Sequence, residues 1–255
     1  MPVKTKKRIS TTRKIILSAC VLLLAAMIFA VGFYLLTYDH ASDTAEAAAA
    51  DAVQVELGGR EVWLFEPDEA SGAPALIFYP GGKVQPEAYA PLCRALADRG
   101  ILCALVKMPC NLAVFDSKAA APVIEYIADT FGCEEFYIGG HSLGGVMAAR
   151  YAYANTESLC GVVLLAAYPA NDLNGTGLRV LSVYGTEDGV LNAARYAEAL
   201  AYMPADFTEL ILDGGCHSYF GDYGMQKGDG TPTVSREEQL TQTADSIAQW
   251  MENAA

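Results

Sequence analysis

Histidine is scarce in this chain. Its 255 residues include three, His40, His141 and His217, so a side chain that exchanges protons near neutral pH is to be sought among these. His40 borders an apolar N-terminal segment and His141 adjoins Ser142. His217 stands apart, in Gly214-Gly215-Cys216-His217-Ser218 after the apolar run Leu210-Ile211-Leu212. Positive charge is also in short supply, with 17 Lys and Arg against 30 Asp and Glu, a net charge of −13. Six of the 17 precede residue 15, which leaves 11 basic against 30 acidic from residue 38 onward, a balance of −19. A surface of that sign repels nucleic acid and discourages anionic substrates. The seven cysteines show no C-x-x-C and no Cys/His spacing of a zinc site. Neither a metal nor another cofactor is expected, and no internal repeat is present.

One stretch lacks charge altogether. Ile15 to Leu36 is 22 residues without a charged side chain, about 33 Å long as a helix and enough to span a bilayer core. Lys4, Lys6, Lys7, Arg8, Arg13 and Lys14 precede it, and no acid appears before Asp39. The positive-inside rule then predicts a cytoplasmic N-terminus, with everything after residue 38 exported. A cleaved signal peptide is the alternative. Against it, the stretch exceeds an ordinary h-region and no clear A-x-A site follows. The chain divides into a basic tail (1–14), a transmembrane signal anchor (15–37), a polar, Ala-rich linker (38–51) and one domain (52–255). Cys20 lies in the apolar segment, and the other six cysteines fall where oxidation is permitted.

The domain alternates short apolar runs with amphipathic stretches. Residues 53–57 and 61–65 flank Gly58-Gly59 and predict a hairpin. Further strands are expected near 75–79, 101–107, 135–139, 161–167, 179–184 and 207–213. Helices are expected near 86–99, 117–131, 143–155 and 192–203. A last helix opens with a capping box, Ser235 and Glu238, and keeps Leu240, Ala244, Ile247, Ala248 and Met251 on one face. Alternation of this kind predicts an α/β fold, a mostly parallel eight-stranded sheet with helices on both faces. About 205 residues suffice for one full core. Only Tyr168 to Leu178 join two of the strands, too few for a lid domain, so the site should be open and shallow. Cys133 and Cys160 each precede one of two strands expected to be neighbours, and they are the one disulfide candidate.

Gly140-His141-Ser142-Leu143-Gly144 follows the apolar run Phe136-Tyr137-Ile138 and opens a helical stretch. Strand, G-x-S-x-G and helix in that order make a nucleophile elbow, a turn so tight that small residues must flank the serine. The hydroxyl then stands at a helix N-terminus, where developing negative charge is favoured. His217 is the candidate base. Asp188, in Gly185-Thr186-Glu187-Asp188-Gly189 after an apolar strand, is the candidate for the acid that orients it. Glu187 and Asp172 are the alternatives. Oxyanion donors are expected from the N–H of Leu143 and, in Tyr79-Pro80-Gly81-Gly82-Lys83, from that of Gly82.

These segments resemble the α/β-hydrolase superfamily. The chain is most similar to the bacterial α/β-hydrolase fold-5 branch, near the dienelactone-hydrolase-like esterases. The resemblance rests on F-Y-P-G-G-K-V at 78–84, V-K-M-P at 106–109, G-G-H-S-L-G-G at 139–145, Y-G-T-E-D-G-V at 184–190 and F-G-D-Y-G-M-Q-K-G-D-G at 220–230. It covers about residues 50 to 253 and implies the Ser142, Asp188, His217 order of this fold. A cysteine directly before His217, and no His-Gly in the oxyanion loop, depart from the familiar pattern.

Two functions are consistent with these residues. The first is a membrane-anchored serine hydrolase acting on small acyl substrates, an ester hydrolase foremost. The second is a non-catalytic hydrolase-fold module that binds at the cell surface. The turn-rich segment Phe220 to Gly230 lacks the EF-hand spacing of acids. It is read either as a connector or as a site wall, with Lys83, Tyr219, Phe220 and Tyr223 as candidate substrate contacts.

Overall fold

The computed structural model describes residues 10–253; the expected basic residues Lys4, Lys6, Lys7 and Arg8 lie outside them. Two compact units divide at Thr37 and Tyr38. The first is α1 (Thr11–Leu36), capped by Ser10, whose hydroxyl accepts the Arg13 N–H at 3.3 Å. Its start at Thr11 takes Arg13 and Lys14 into the first turn, earlier than the charge-free stretch predicts. At about 1.5 Å per residue it is long enough to cross a bilayer. An 18-residue window within Thr11–Tyr34 has a mean hydropathy of 2.8, and none of that window is buried. The helix is therefore a candidate membrane span.

The second unit is an eight-stranded sheet. Its strands are β1 (Val53–Leu57), β2 (Arg60–Phe65), β3 (Ala75–Tyr79), β4 (Leu102–Val106), β5 (Phe136–His141), β6 (Gly161–Leu165), β7 (Arg179–Gly185) and β8 (Phe207–Leu212). They lie in the order β1-β2-β4-β3-β5-β6-β7-β8. The hairpin β1–β2 and the β2–β4 pair are antiparallel, and every other pair is parallel. Parallel strands covered on both faces are apolar at every position. Thus all five residues of β3, β4 and β6 are buried.

Alternation within β3 sorts side chains to two cores. Leu76 and Phe78 join the core under α2 (Asp43–Ala49), α3 (Ala90–Ala97) and α7 (Arg236–Glu252). Ile77 and Tyr79 join the core under α4 (Ala120–Phe131) and α5 (Leu143–Ala154). The remaining helix, α6 (Ala193–Ala199), is short and follows β7. No helix or strand intervenes between Leu165 and Arg179, the crossover where a lid would be inserted. The cap of α7 forms as its sequence predicts, the Ser235 hydroxyl accepting the Glu238 N–H at 3.1 Å.

Two expectations are corrected. Residues 38–51 are not a free linker. Asp39 pairs with Val84 as a parallel bridge, and α2 packs on α3 with Ala45 and Ala49 buried. The Ala-rich run is a strong helix former, Ser42 caps it by accepting the Ala45 N–H at 3.1 Å, and its small faces fit closely. Nor are Cys133 and Cys160 joined; both are free. Their strands are neighbours, but Cys133 belongs to the α4–α5 core and Cys160 packs against the opposite one. The sheet lies between the two sulfurs.

Candidate active site

Strain marks one edge of the sheet. Among the described residues, five other than glycine have left-handed or otherwise positive φ: Lys83 at 62°, Cys110 at 54°, Asn111 at 55°, Ser142 at 51° and Ala166 at 47°. Each follows a parallel strand, respectively β3, β4 (two residues), β5 and β6, at its C-terminal end. Such backbone costs on the order of 1–3 kcal/mol per residue and persists only where its surroundings over-determine it. This edge of an open α/β sheet is also where ligands bind.

Ser142 caps α5 with φ 51° and ψ −121°. Its N–H donates to the Leu165 carbonyl at 2.9 Å, tying the turn to the end of β6. The glycines around it have no room for a side chain. A Cβ on Gly140 would lie 2.6 Å from the Tyr79 carbonyl oxygen. One on Gly144 would strike the carbonyl oxygens of Tyr79 and Pro80. The first N–H groups of α5 have no helical acceptor and carry the positive end of its dipole.

The loop after β3 presses its glycines onto this turn. The Gly81 N–H is already spent, donating to the Tyr89 hydroxyl at 3.0 Å. Tyr89 in turn sits 2.8 Å from His141 Nδ1. Gly82 lies against Leu143, where a Cβ would come within 2.8 Å of Leu143 Cδ2. The two residues expected to supply the oxyanion donors are thus neighbours. Lys83 is half-buried, its N–H donating to the Asn111 carbonyl at 2.7 Å.

Asp188 and His217 meet across 2.9 Å, Oδ2 to Nδ1, with side chains 2% and 1% exposed. The other Asp188 oxygen accepts the Val190 and Leu191 N–H groups at 2.9 and 2.7 Å. That fixes the carboxylate plane. His217 Nε2 is buried and unpartnered, so no hydrogen bond joins it to Ser142. The alternatives are elsewhere. Glu187 is exposed, and Asp172 is exposed and accepts the Asn174 N–H at 2.9 Å. His40 is exposed and its ring meets that of Tyr38 at a tilt of 41°.

Three groups that sequence reasoning passed over complete the site. Asp229 accepts the His217 and Gly189 N–H groups, each at 3.2 Å, on Oδ1. Its Oδ2 accepts the Ser218 N–H at 2.7 Å and hydroxyl at 2.6 Å. Burial raises this carboxyl, but the Ser218, Gly189 and His217 donors outweigh it and hold the group below the ordinary range. His141 packs on His217 with ring centroids 4.5 Å apart. Burial first, and the charge of His217 second, hold its imidazole well below the usual value, so it stays neutral. Tyr89 is fully buried beneath it. The Asp229 signal was visible only as an acid in a Gly-rich turn.

Two rings expected at a pocket wall lie in the core instead. Phe220 has no exposed surface and packs beneath His141, and Tyr223 packs on Tyr89. Phe220 closes the 3-10 turn that the buried His217 caps, three residues on, and so follows it inward. Tyr219 is half-buried under the Arg236 guanidinium, 4.7 Å from its ring centre. Asp222 is held by Arg236 and the Ser42 hydroxyl. Cys216 is no nucleophile: burial, with the Asp229 carboxylate next, pushes its thiol up to about 12. Among the described residues, no group of three His, Cys, Asp or Glu is placed to hold a metal ion.

Fold and edge together define an α/β hydrolase. Residues 75–241 match the profile of the alpha/beta hydrolase family, and the chain belongs to that family. Among solved structures it is similar to Est1E from Butyrivibrio proteoclasticus, at 15% identity and a TM-score of 0.60, covering 80% of this chain and 98% of that one. A membrane phospholipase A described as a bacterial virulence factor is similar over 94% of this chain and 99% of its own, at 13% identity and a TM-score of 0.58. A dienelactone hydrolase from Anabaena variabilis matches at 18% identity and a TM-score of 0.56, over 79% and 96%. A search of curated proteins finds no match.

Proposed function

We propose that the chain is a membrane-anchored serine hydrolase of carboxylic esters, its domain held on the outer side of the membrane. The observation that carries this reading is the buried Asp188–His217 pair, whose free Nε2 belongs to the same sheet edge as the strained Ser142. Asp188 fixes the imidazole tautomer, leaving Nε2 as the base. Ser142 Oγ attacks the ester carbonyl carbon while its proton passes to Nε2. The oxyanion is met by the Leu143 and Gly82 N–H groups and by the α5 dipole. Collapse of the tetrahedral adduct breaks the bond to the alcohol, which leaves with the proton from Nε2. Water then hydrolyses the acyl-Ser142 ester by the same route, releasing acid and restoring the serine. Hydrogen bonds of this kind are commonly long in unliganded sites and tighten on substrate.

Esterases and a membrane phospholipase among the structural neighbours favour ester chemistry. The apolar α1, the six basic residues before residue 15 and the lack of acids before Asp39 favour an uncleaved anchor with the N-terminus cytoplasmic. The test is labelling by a fluorophosphonate probe, which should modify wild type and spare Ser142→Ala. Equal labelling of the two would end the serine mechanism.

A further inference from the structure

Three backbone segments are hydrogen-bonded in series beside the candidate site. The Asp39 N–H donates to the Lys83 carbonyl at 2.7 Å, and the Lys83 N–H donates to the Asn111 carbonyl at 2.7 Å. Asp39 is the third residue after Leu36, the end of the apolar helix. Lys83 belongs to the loop of the expected oxyanion donor Gly82. Asn111 opens the turn that carries Val114 and Phe115.

That turn is unusual for a domain in water. Val114 is 51% and Phe115 59% exposed, two large apolar neighbours at a loop tip. The turn is nevertheless firmly built. Leu112 is buried with its Cδ2 within 3.5 Å of where a Gly82 Cβ would stand. Residues Ala113–Phe115 pack on α5, the helix that Ser142 caps. Cys110 and Asn111, both left-handed, form the bend that leads into the tip. An exposed apolar pair on a rigid mount beside a site marks a contact surface.

Chain length says what that surface meets. Three residues reach about 10 Å at most, whatever their course. If α1 spans a bilayer, Asp39, and through it the Lys83 and Asn111 backbones, cannot stand far from the lipid surface. We infer that Val114 and Phe115 dock in the bilayer surface and that the site takes its acyl ester from that leaflet. This inference rests on the proposed membrane-anchored ester hydrolase and adds the source and class of its substrate. The balance of −19 beyond residue 38 narrows the class further. Anionic lipids are repelled, so the ester is an uncharged or zwitterionic amphiphile.

The test uses the full chain reconstituted in phosphatidylcholine vesicles. Phe115→Trp should be quenched by phosphatidylcholine brominated on its acyl chains, over the low background of the buried Trp63 and Trp250. Quenching by a water-soluble quencher alone would overturn the docking. So would shielding that rises with protein density and ignores bromination, which would assign the patch to a second copy. Turnover is then compared between a bilayer-embedded fluorogenic diacyl ester and a soluble short-chain aryl ester. The ratio of the two rates should fall by about tenfold in Val114→Ser/Phe115→Ser, as loss of apolar insertion predicts. It should fall likewise when a long Gly/Ser spacer separates Leu36 from Thr37. Leu200→Ser/Ile211→Ser, at another exposed apolar patch, should leave it unchanged. An unaltered ratio in both the turn variant and the spacer variant refutes a bilayer-drawn substrate. Lipid quenching that persists while Ser142→Ala hydrolyses both esters normally would instead refute the serine mechanism and leave the docking standing.

Discussion

Asp229 holds the backbone of His217 rather than its ring. From one carboxylate oxygen it takes the His217 N–H and the Gly189 N–H, each at 3.2 Å, and so couples the base's loop to the acid's turn. Asp229→Asn would turn an NH2 toward the Ser218 N–H and hydroxyl that now donate to Oδ2. We expect kcat to fall by about 10- to 100-fold with KM little changed, because a small displacement of the base misaligns its transfer. The acidic limb of the kcat profile should shift as well. A merely structural loss would lower stability and leave that limb in place.

Asp188→Asn should be far more severe. It keeps the shape of the carboxylate but favours the wrong imidazole tautomer, and a loss of about 10⁴ in kcat is the expected scale. Glu187→Gln and Asp172→Asn should stay near wild type, since both carboxylates are exposed and neither pairs with His217. Steady-state kinetics on a soluble aryl ester distinguish the three. A comparable loss in either of the last two would reassign the acid.

Gly144→Ala tests the elbow. The added methyl meets backbone oxygens of Tyr79 and Pro80, which cannot rotate away. Overpacking of this kind costs about 3 kcal/mol or more, enough to lower Tm by roughly 6–12 °C in a unit this size. Thermal unfolding in detergent micelles reads the shift directly. A Tm within a degree or two of wild type would mean that the turn relaxes.

Acid should weaken the fold through His141. Burial, and then His217, keep its folded-state value well below that of an unfolded chain. Below about pH 6.5 the unfolded chain takes up a proton that the folded protein refuses. Stability is therefore full above that pH and falls below it, by up to about 1.4 kcal/mol per pH unit. His141→Asn should be less stable at neutral pH yet flatter between about pH 6.5 and 5. Denaturant midpoints across that range check it, and parallel slopes would contradict it.

The fold was legible because its signals are local. Apolar runs such as Leu76-Ile77-Phe78 and the Ser235 cap depend on a few neighbouring residues. Ser142, Asp188 and His217 stood out as candidates because strands bounded them and histidine is rare, and the structure pairs the last two. What escaped is long-range. Nothing near Asp229 says that its carboxylate bridges residues 40 and 12 positions away. Nothing in Phe220-Gly221-Asp222-Tyr223 says which rings turn inward, since period-based patterning fails in turns. The Ala-rich stretch before residue 51 was misread because low complexity looks alike in a tether and in a packed helix. Cys133 and Cys160 misled for a related reason: neighbouring strands bring starts together, but the period of two decides the face.

The packing of α2 moves the point at which this protein can be cut. A truncation at Ala52, where strand patterning begins, would strip Ala45 and Ala49 from the α3 face. It would also take the Ser42 hydroxyl from Asp222 and the Asp39 bridge from Val84. Fresh apolar surface and two loosened loops would result, one of them the loop of Gly82 against Leu143. The shortest fragment that keeps its own surface closed starts at Tyr38, so a protease releasing the domain intact has only the few residues around Thr37 in which to act.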